Sequence, residues 1–231
     1  MRASDISFTV TEAVRAAGLN GAYFTMGGLH NQESAPELTE LTHAVLKEIM
    51  PGLSPEAIRL DPILQGFRRL HEQVGVSNRK NVASPENLLS NLCRTGQLPQ
   101  INLLVDIYNL VSVKSRLAVG AHDIDHISGN ITLRMTTGSE EFWPLGAPEP
   151  KTVRAGEYAY VDDEGNIICR LETRQVEKTK VALDTTECFY IVQGNTATGD
   201  DYLKSVTEEL IGLTKRFCGG RERMLYAPWQ D

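Results

Sequence analysis

Residues 98–127 combine the most apolar run of the chain with polar groups set inside it. Ile101, Leu104, Val105, Tyr108 and Val111 recur at helical spacing, which predicts a helix over 101–113. Asn102, Asp106 and Asn109 fall within that span. A buried amide or carboxylate is costly unless it is hydrogen-bonded. Such groups in one buried element either tie neighbouring loops together or line a pocket. Asp106 and Asn109 lie three apart, on neighbouring positions of one helical face.

The same periodicity organises the rest of the chain. Residues 6–10 alternate as a short strand, 11–17 continue as a short helix, and 22–26 form a second strand ending at Gly27-Gly28. Leu38, Leu41, Val45, Leu46 and Ile49 mark a helix over 35–50, stopped by Pro51-Gly52. Ser54-Pro55-Glu56 has a capping pattern, and helices follow over 63–74 and 85–92, the second opened by Ser84-Pro85 and ended by Gly96. Residues 118–123 read as an extended piece or a loop and 125–127 as a turn. After Gly129 the period shortens to two: strands are expected over 131–135, 141–145, 157–161, 167–171, 181–183 and 188–192, with a hairpin turn at 162–166. A final helix over 201–217 carries Leu203, Val206, Leu210, Leu213 and Phe217 on one face, with Gly219-Gly220 beyond it. Helices dominate the first half and strands the second. That order predicts an α+β fold with a central mixed or antiparallel sheet flanked by helices.

Composition narrows the function classes. Hydrophobic residues make up 41% of 231, enough for a sizeable core. No apolar run approaches the roughly 20 residues that span a bilayer, and the first residues lack the apolar core of a secretory signal, so a cytoplasmic, membrane-free protein is expected. Cys93, Cys169, Cys188 and Cys218 are far apart, which suits reduced thiols better than a zinc or redox site. A net charge of −7 argues against broad electrostatic attachment to nucleic acid, though not against a local basic patch. Arg68, Arg69, Arg79 and Lys80 are such a cluster, either a solvated face or a phosphate contact.

The chain has no glycine-rich phosphate loop, dinucleotide fingerprint, HExxH or GxSxG motif. His122 and His126, with Asp123 and Asp125 between them, have a metal-ligand look but no third dedicated donor; turn hydrogen bonding is the expected role, and no metal or cofactor is expected. The charged connection 174–180 contributes Arg174 and Glu177 as candidates for binding a polar small molecule.

The blocks INLLVDIYNLVS, GAHDIDHI, ITLRMTTGSEEFWPLG, GEYAYVDDEGNIICR and RQVEKTKVALDTTE resemble, in order and spacing, the B3/B4 domain, which is the editing domain of the bacterial phenylalanyl-tRNA synthetase β subunit. The resemblance covers residues 85–192. A helical part over 1–84 and the helix over 200–218 look like those of free-standing B3/B4-domain proteins, and one domain over 1–231 is expected. The resemblance implies a small pocket that hydrolyses mischarged tRNA by second-sieve logic, in which polar groups recognise a hydroxyl that the correct amino acid lacks. It places Asn109, Glu177 and Asp162 in the pocket; Asn109 and Glu177, joined by His122 from the residues themselves, are the expected catalytic groups, with Asp106 behind Asn109. Asp162, Arg134 and Arg174 stand as further substrate contacts, and Arg68, Arg69, Arg79 and Lys80 as the tRNA contacts. One position departs: where the family pattern has His, this chain has Gly120, and His122 follows two positions later, on the same side of an extended segment. Two functions follow, a deacylase acting in trans on aminoacyl-tRNA, or a non-catalytic module binding an amino acid or tRNA. A pocket that has lost both roles in a structural or regulatory protein is the third.

Overall fold

In the computed structural model, which describes residue 3 and residues 5–230, the apolar run folds as helix α6 (Leu103–Ser115), buried along almost its whole length. The helix starts two residues later than the periodicity suggests, because Asn102 is its cap. Asn102 is extended at φ −165, and its Oδ1 accepts from the Val105 amide at 3.1 Å. Asp106 also binds backbone, accepting from the Ile101 amide at 2.9 Å. Two of the three polar groups therefore tie down the entry to α6. Asn109 alone is left for another purpose.

Ahead of α6 come β1 (Phe8–Val10), α1 (Glu12–Ala16), β2 (Asn20–Leu29), α2 (Pro36–Ile49), α3 (Pro55–Leu60), α4 (Pro62–Gln73) and α5 (Ser84–Thr95). After it come β3 (Ala118–Asp123), β4 (Ile131–Met135), β5 (Tyr158–Asp162), β6 (Ile167–Arg170), β7 (Arg174–Gln175), β8 (Glu187–Gly194), α7 (Asp200–Cys218) and β9 (Gly219–Tyr226). One sheet has the order β3-β8-β2-β9 and is antiparallel throughout. The other has the order β1-β4-β5-β6-β7, with only β1 and β4 parallel.

Strand alternation divides the core between two interfaces. Tyr23, Phe189 and Ile191 project from the four-stranded sheet into a cluster with Phe8, Tyr158 and Tyr160 of the second sheet. Phe24, Met26, Tyr190 and Val192 project from its opposite face onto Leu104, Ile107 and Leu110 of α6 and Leu203, Val206 and Leu210 of α7. The result is three layers: sheet, sheet and helix pair. The fold is α+β, and β2 and β8 are the inner strands of its middle layer.

Three local expectations change. Residues 141–145 make isolated bridges and no continuous strand; Pro144 has no amide hydrogen to carry a ladder further. Residues 181–183 lie in a turn, where the Ala182 amide donates to Thr185 Oγ1 at 2.9 Å. The segment after α7 is β9, an edge strand on β2. Its half-exposed GGRERMLY sequence has no period-two apolar pattern to announce it.

Helix α4 reaches the sheet at Gly66. A Cβ there would lie 1.9 Å from Asn195 Oδ1, and Asn195 is held in place by its donation to the Ile63 carbonyl at 2.9 Å. Gly66→Ala therefore overpacks a buried contact and is expected to destabilise the protein by roughly 1–3 kcal/mol. Urea unfolding would show a lower midpoint at unchanged slope; an unshifted midpoint would contradict this packing.

Candidate functional site

A cavity of about 470 Å³ lies between α5, α6, the edge strand β3 and the segment 169–175. Its apolar lining includes Leu88, Ile101, Val105 and Ile191, and its polar lining includes Asn109, His122, Gln175 and Gln193. β3 pairs only with β8 among the described strands; on its other side the Asp123 amide donates to the Thr179 carbonyl at 3.0 Å, and residues 118–120 line the cavity. Gln175 covers part of that edge, donating through Nε2 to the Ala121 carbonyl at 3.1 Å.

Gly120 faces this amide. A Cβ at position 120 would lie 3.1 Å from Gln175 Nε2. Any longer side chain at 120 would have to displace Gln175 from the strand edge. The space that a histidine would need is therefore used by an amide arriving from β7.

His122 is 1% exposed. Its Nδ1 bonds Thr179 Oγ1 at 2.9 Å, and its Nε2 has no hydrogen-bond partner among the described residues. Burial holds its pKa down to about 3, so the imidazole is neutral at physiological pH. Asn109 comes from α6, is 8% exposed, and its amide makes no hydrogen bond to any described residue. Buried polar groups are nearly always bonded. His122 Nε2 is one exception, and it shares the lining of this cavity with Asn109; the other, the Tyr190 hydroxyl, lies away from the cavity in the packing of β8 against the helices.

The cavity's base is a buried polar network around Glu172. One carboxylate oxygen bonds His71 Nε2. The other accepts from the Tyr158 hydroxyl at 2.5 Å and Gln193 Nε2 at 3.0 Å. Gln193 Oε1 in turn accepts from the Tyr160 hydroxyl at 2.5 Å, and His71 Nδ1 bonds Asn78 Oδ1 at 3.0 Å. Burial alone would lower the pKa of His71; the Glu172 hydrogen bond and charge outweigh it and raise the pKa. Leu171, just before Glu172, is fully buried at φ +53, in the left-handed region that non-glycine residues seldom adopt. That reversal ends β6 and directs the next side chain into the core.

The B3/4 domain family model matches residues 68–205, more than half of the chain. The chain belongs to the B3/4 domain family. Over 89 residues it is 35% identical to the phenylalanine–tRNA ligase beta subunit of Fusobacterium nucleatum, covering 38% of this chain and 11% of that relative. The chain thus spans about a tenth of the length of that protein. A crystal structure of an N-terminal fragment of the phenylalanyl-tRNA synthetase beta subunit from Pyrococcus horikoshii shares the fold at a TM-score of 0.51 and 16% identity, over 96% of this chain and 52% of the fragment.

In this B3/4 domain the structure brings Asn109, His122 and Arg174 to one cavity and leaves the other expected site residues outside it. Glu177 lies at the surface, its side chain 43% exposed, paired with Lys180 and accepting from the Gly146 amide at 3.3 Å. The hydrogen bond from Lys180 lowers its carboxyl pKa. Asp106 borders a separate groove beside α2, and burial raises its pKa. Asp162 holds the hairpin turn, accepting from the amides of Glu164 at 3.1 Å and Asn166 at 2.8 Å. Arg134 is spent on Glu140, at 2.5 Å. Arg68 is spent on Glu86, at 2.7 Å. Arg69 and Arg79 are exposed and line no cavity described here; Lys80 lines a cleft beside the main cavity. Asp123 caps the turn after β3, accepting from the Asp125 amide at 3.0 Å. The described residues contain no group of three metal-binding side chains.

Glu172, His71 and Gln193 carry no sequence signal of their own. Glu172 sits in a charged connection and Gln193 in an apolar strand, and only the fold makes them neighbours.

The two histidines titrate in opposite directions. Below about pH 6.5 the unfolded chain takes up a proton that buried His122 refuses until about pH 3, so this group's contribution to stability falls as pH drops through that window. His71 contributes stability that is fully present below about pH 6.5 and is lost as pH rises through its raised folded pKa. Compared with the parent by urea unfolding from about pH 4 to about pH 8, His122→Gln is expected to flatten the acid side and His71→Gln the alkaline side. Parallel curves for either variant would contradict the environment described for that residue.

Proposed function

We propose that this B3/4 domain receives the aminoacyl end of a tRNA in the cavity beside Asn109 and hydrolyses its ester, acting in trans as a deacylase. The observation that carries the reading is the buried, unpartnered His122 Nε2 in the lining of a cavity that Asn109 also lines and that is large enough for an amino acid. The family membership and the likeness to a phenylalanine–tRNA ligase beta subunit support the substrate class. Asn109 and neutral His122 would orient the ester carbonyl and the attacking water. Neither is a strong base, so the proton would be taken by water or by the hydroxyl next to the ester on the terminal ribose. Catalysis of this kind rests on preorganised dipoles.

A second reading has an observation of its own. The two carboxylates expected or found near the cavity are both engaged, Glu172 by three donors and Glu177 by Lys180 and a backbone amide. A pocket without a free acid also suits a module that binds an amino acid or tRNA without acting on it. The experiment is deacylation of a panel of aminoacyl-tRNAs, tyrosyl-tRNA included. Asn109→Ala and His122→Ala are each expected to lower kcat/KM by roughly 100-fold. No release above the buffer rate across the panel rules out the hydrolytic reading; stabilisation by an amino acid in a thermal-shift screen would then establish the binding module.

A further inference from the structure

Beside the main cavity lies a second cleft of about 360 Å³, formed where the segment after α4 meets the loops around β6 and β7. Four cations line it: Lys80, Lys151, Arg170 and Arg174. Arg170 is neutralised by Glu157 at 2.6 Å. Lys80, Lys151 and Arg174 have no ion-pair partner among the described residues, and no Asp or Glu lines the cleft. The amide of Asn87 adds a neutral hydrogen-bonding group, while the Thr173 hydroxyl is spent on the Arg170 carbonyl at 3.1 Å. Three uncompensated cations around one concavity are unexpected in a chain of net charge −7, and they make a local positive potential that the whole molecule lacks.

Asn87, Thr173 and Arg174 line both this cleft and the main cavity. The two therefore meet along a shared wall, one partly apolar with unpartnered dipoles, the other cationic.

We infer that the cleft of Lys80, Lys151 and Arg174 is an oxyanion subsite for the phosphate of a molecule whose amino-acid end occupies the neighbouring cavity. The chemistry fits a phosphate about one nucleoside away from an aminoacyl ester. The 3′ end of an aminoacylated RNA and a small aminoacyl nucleotide both have it. The assignment of the amino-acid end rests on the function proposed above; the anion subsite stands on the cleft's own charge.

Pyrophosphate tests the cleft alone. Titrated into the full chain at low salt and followed by amide chemical shifts, it is expected to move residues around Lys80 and Lys151, and Lys80→Ala/Lys151→Ala is expected to abolish the shifts. No shifts in the parent protein, or shifts that survive in the double variant, overturn the subsite. A second arm uses a non-hydrolysable amide-linked 3′-aminoacyl-adenosine with and without a 5′-phosphate, and the same compound joined to a preceding nucleotide. The phosphate is expected to tighten binding about tenfold or more in the parent protein and not in the double variant, with the gain shrinking as salt rises. A further gain from the added nucleotide identifies RNA as the source of the phosphate; none identifies the mononucleotide. If pyrophosphate binds but the 5′-phosphate adds nothing, the claim that one ligand bridges the two cavities is overturned. If pyrophosphate binds and no aminoacyl compound does, the oxyanion subsite is upheld and the function proposed for the main cavity fails.

Discussion

A carboxylate shielded from water connects most of this molecule. Glu172 bonds His71 from α4, Tyr158 from the five-stranded sheet and Gln193 from the four-stranded sheet, while its own carbonyl accepts from the Ser84 amide at the start of α5 at 2.8 Å. A buried carboxylate is tolerable only when its oxygens are occupied, because an uncompensated buried charge costs several kcal/mol. Each partner is therefore conditional on the others. A rearrangement that frees α4 or shifts one sheet against the other leaves a naked charge behind. Apolar contacts between the sheets supply the larger part of the burial, but they are less directional. The carboxylate selects one relative placement of the layers from those that hydrophobic packing alone would accept.

That constraint also shapes the cavity. Glu172 and Gln193 form part of its wall, so the groups that lock the layers are those that fix the floor of the site. The left-handed Leu171 is a local cost of about 1–3 kcal/mol, held in place by the packing around it and by the network it directs. Against a base in which each polar group is bonded, His122 Nε2 stands out in the cavity lining by having no partner among the described residues.

Much of the fold was legible in the sequence because its elements are amphipathic with clear stops. The helices α2, α4, α5 and α7 have apolar faces closed by Pro or Gly, and β4 to β6 alternate around a turn with an evident composition. What escaped was set by tertiary contact. β9 takes its structure from the free edge of β2, and its own residues carry no period. The site was only partly legible for the same reason. Asn109 showed as a polar group in an apolar helix, whereas His122 read as a turn-bonding histidine and only the structure buries it on β3. Glu172, Gln175 and Gln193 are ordinary polar residues until β6, β7 and β8 place them side by side. A charged connection and family position both singled out Glu177, and the chain turns it to Lys180 at the surface.

The exchange at Gly120 bears on what the site can do. A histidine at 120 and the Gln175 amide compete for one volume, so this chain has an amide bound to the strand edge where the family pattern has an ionisable ring. His122 restores a ring nearby, but burial keeps it uncharged, with Nδ1 bound to Thr179. Asn109, Gln175 and neutral His122 thus give this wall fixed dipoles rather than groups that exchange protons near neutral pH. A wall of dipoles can orient a carbonyl and a water, and it discriminates by whether a ligand fills each open bond. It cannot supply a general base of its own. Any hydrolysis in this cavity therefore depends on the substrate's own hydroxyl or a bound water for proton transfer, and its rate depends on how well Asn109 and His122 hold the ester in place.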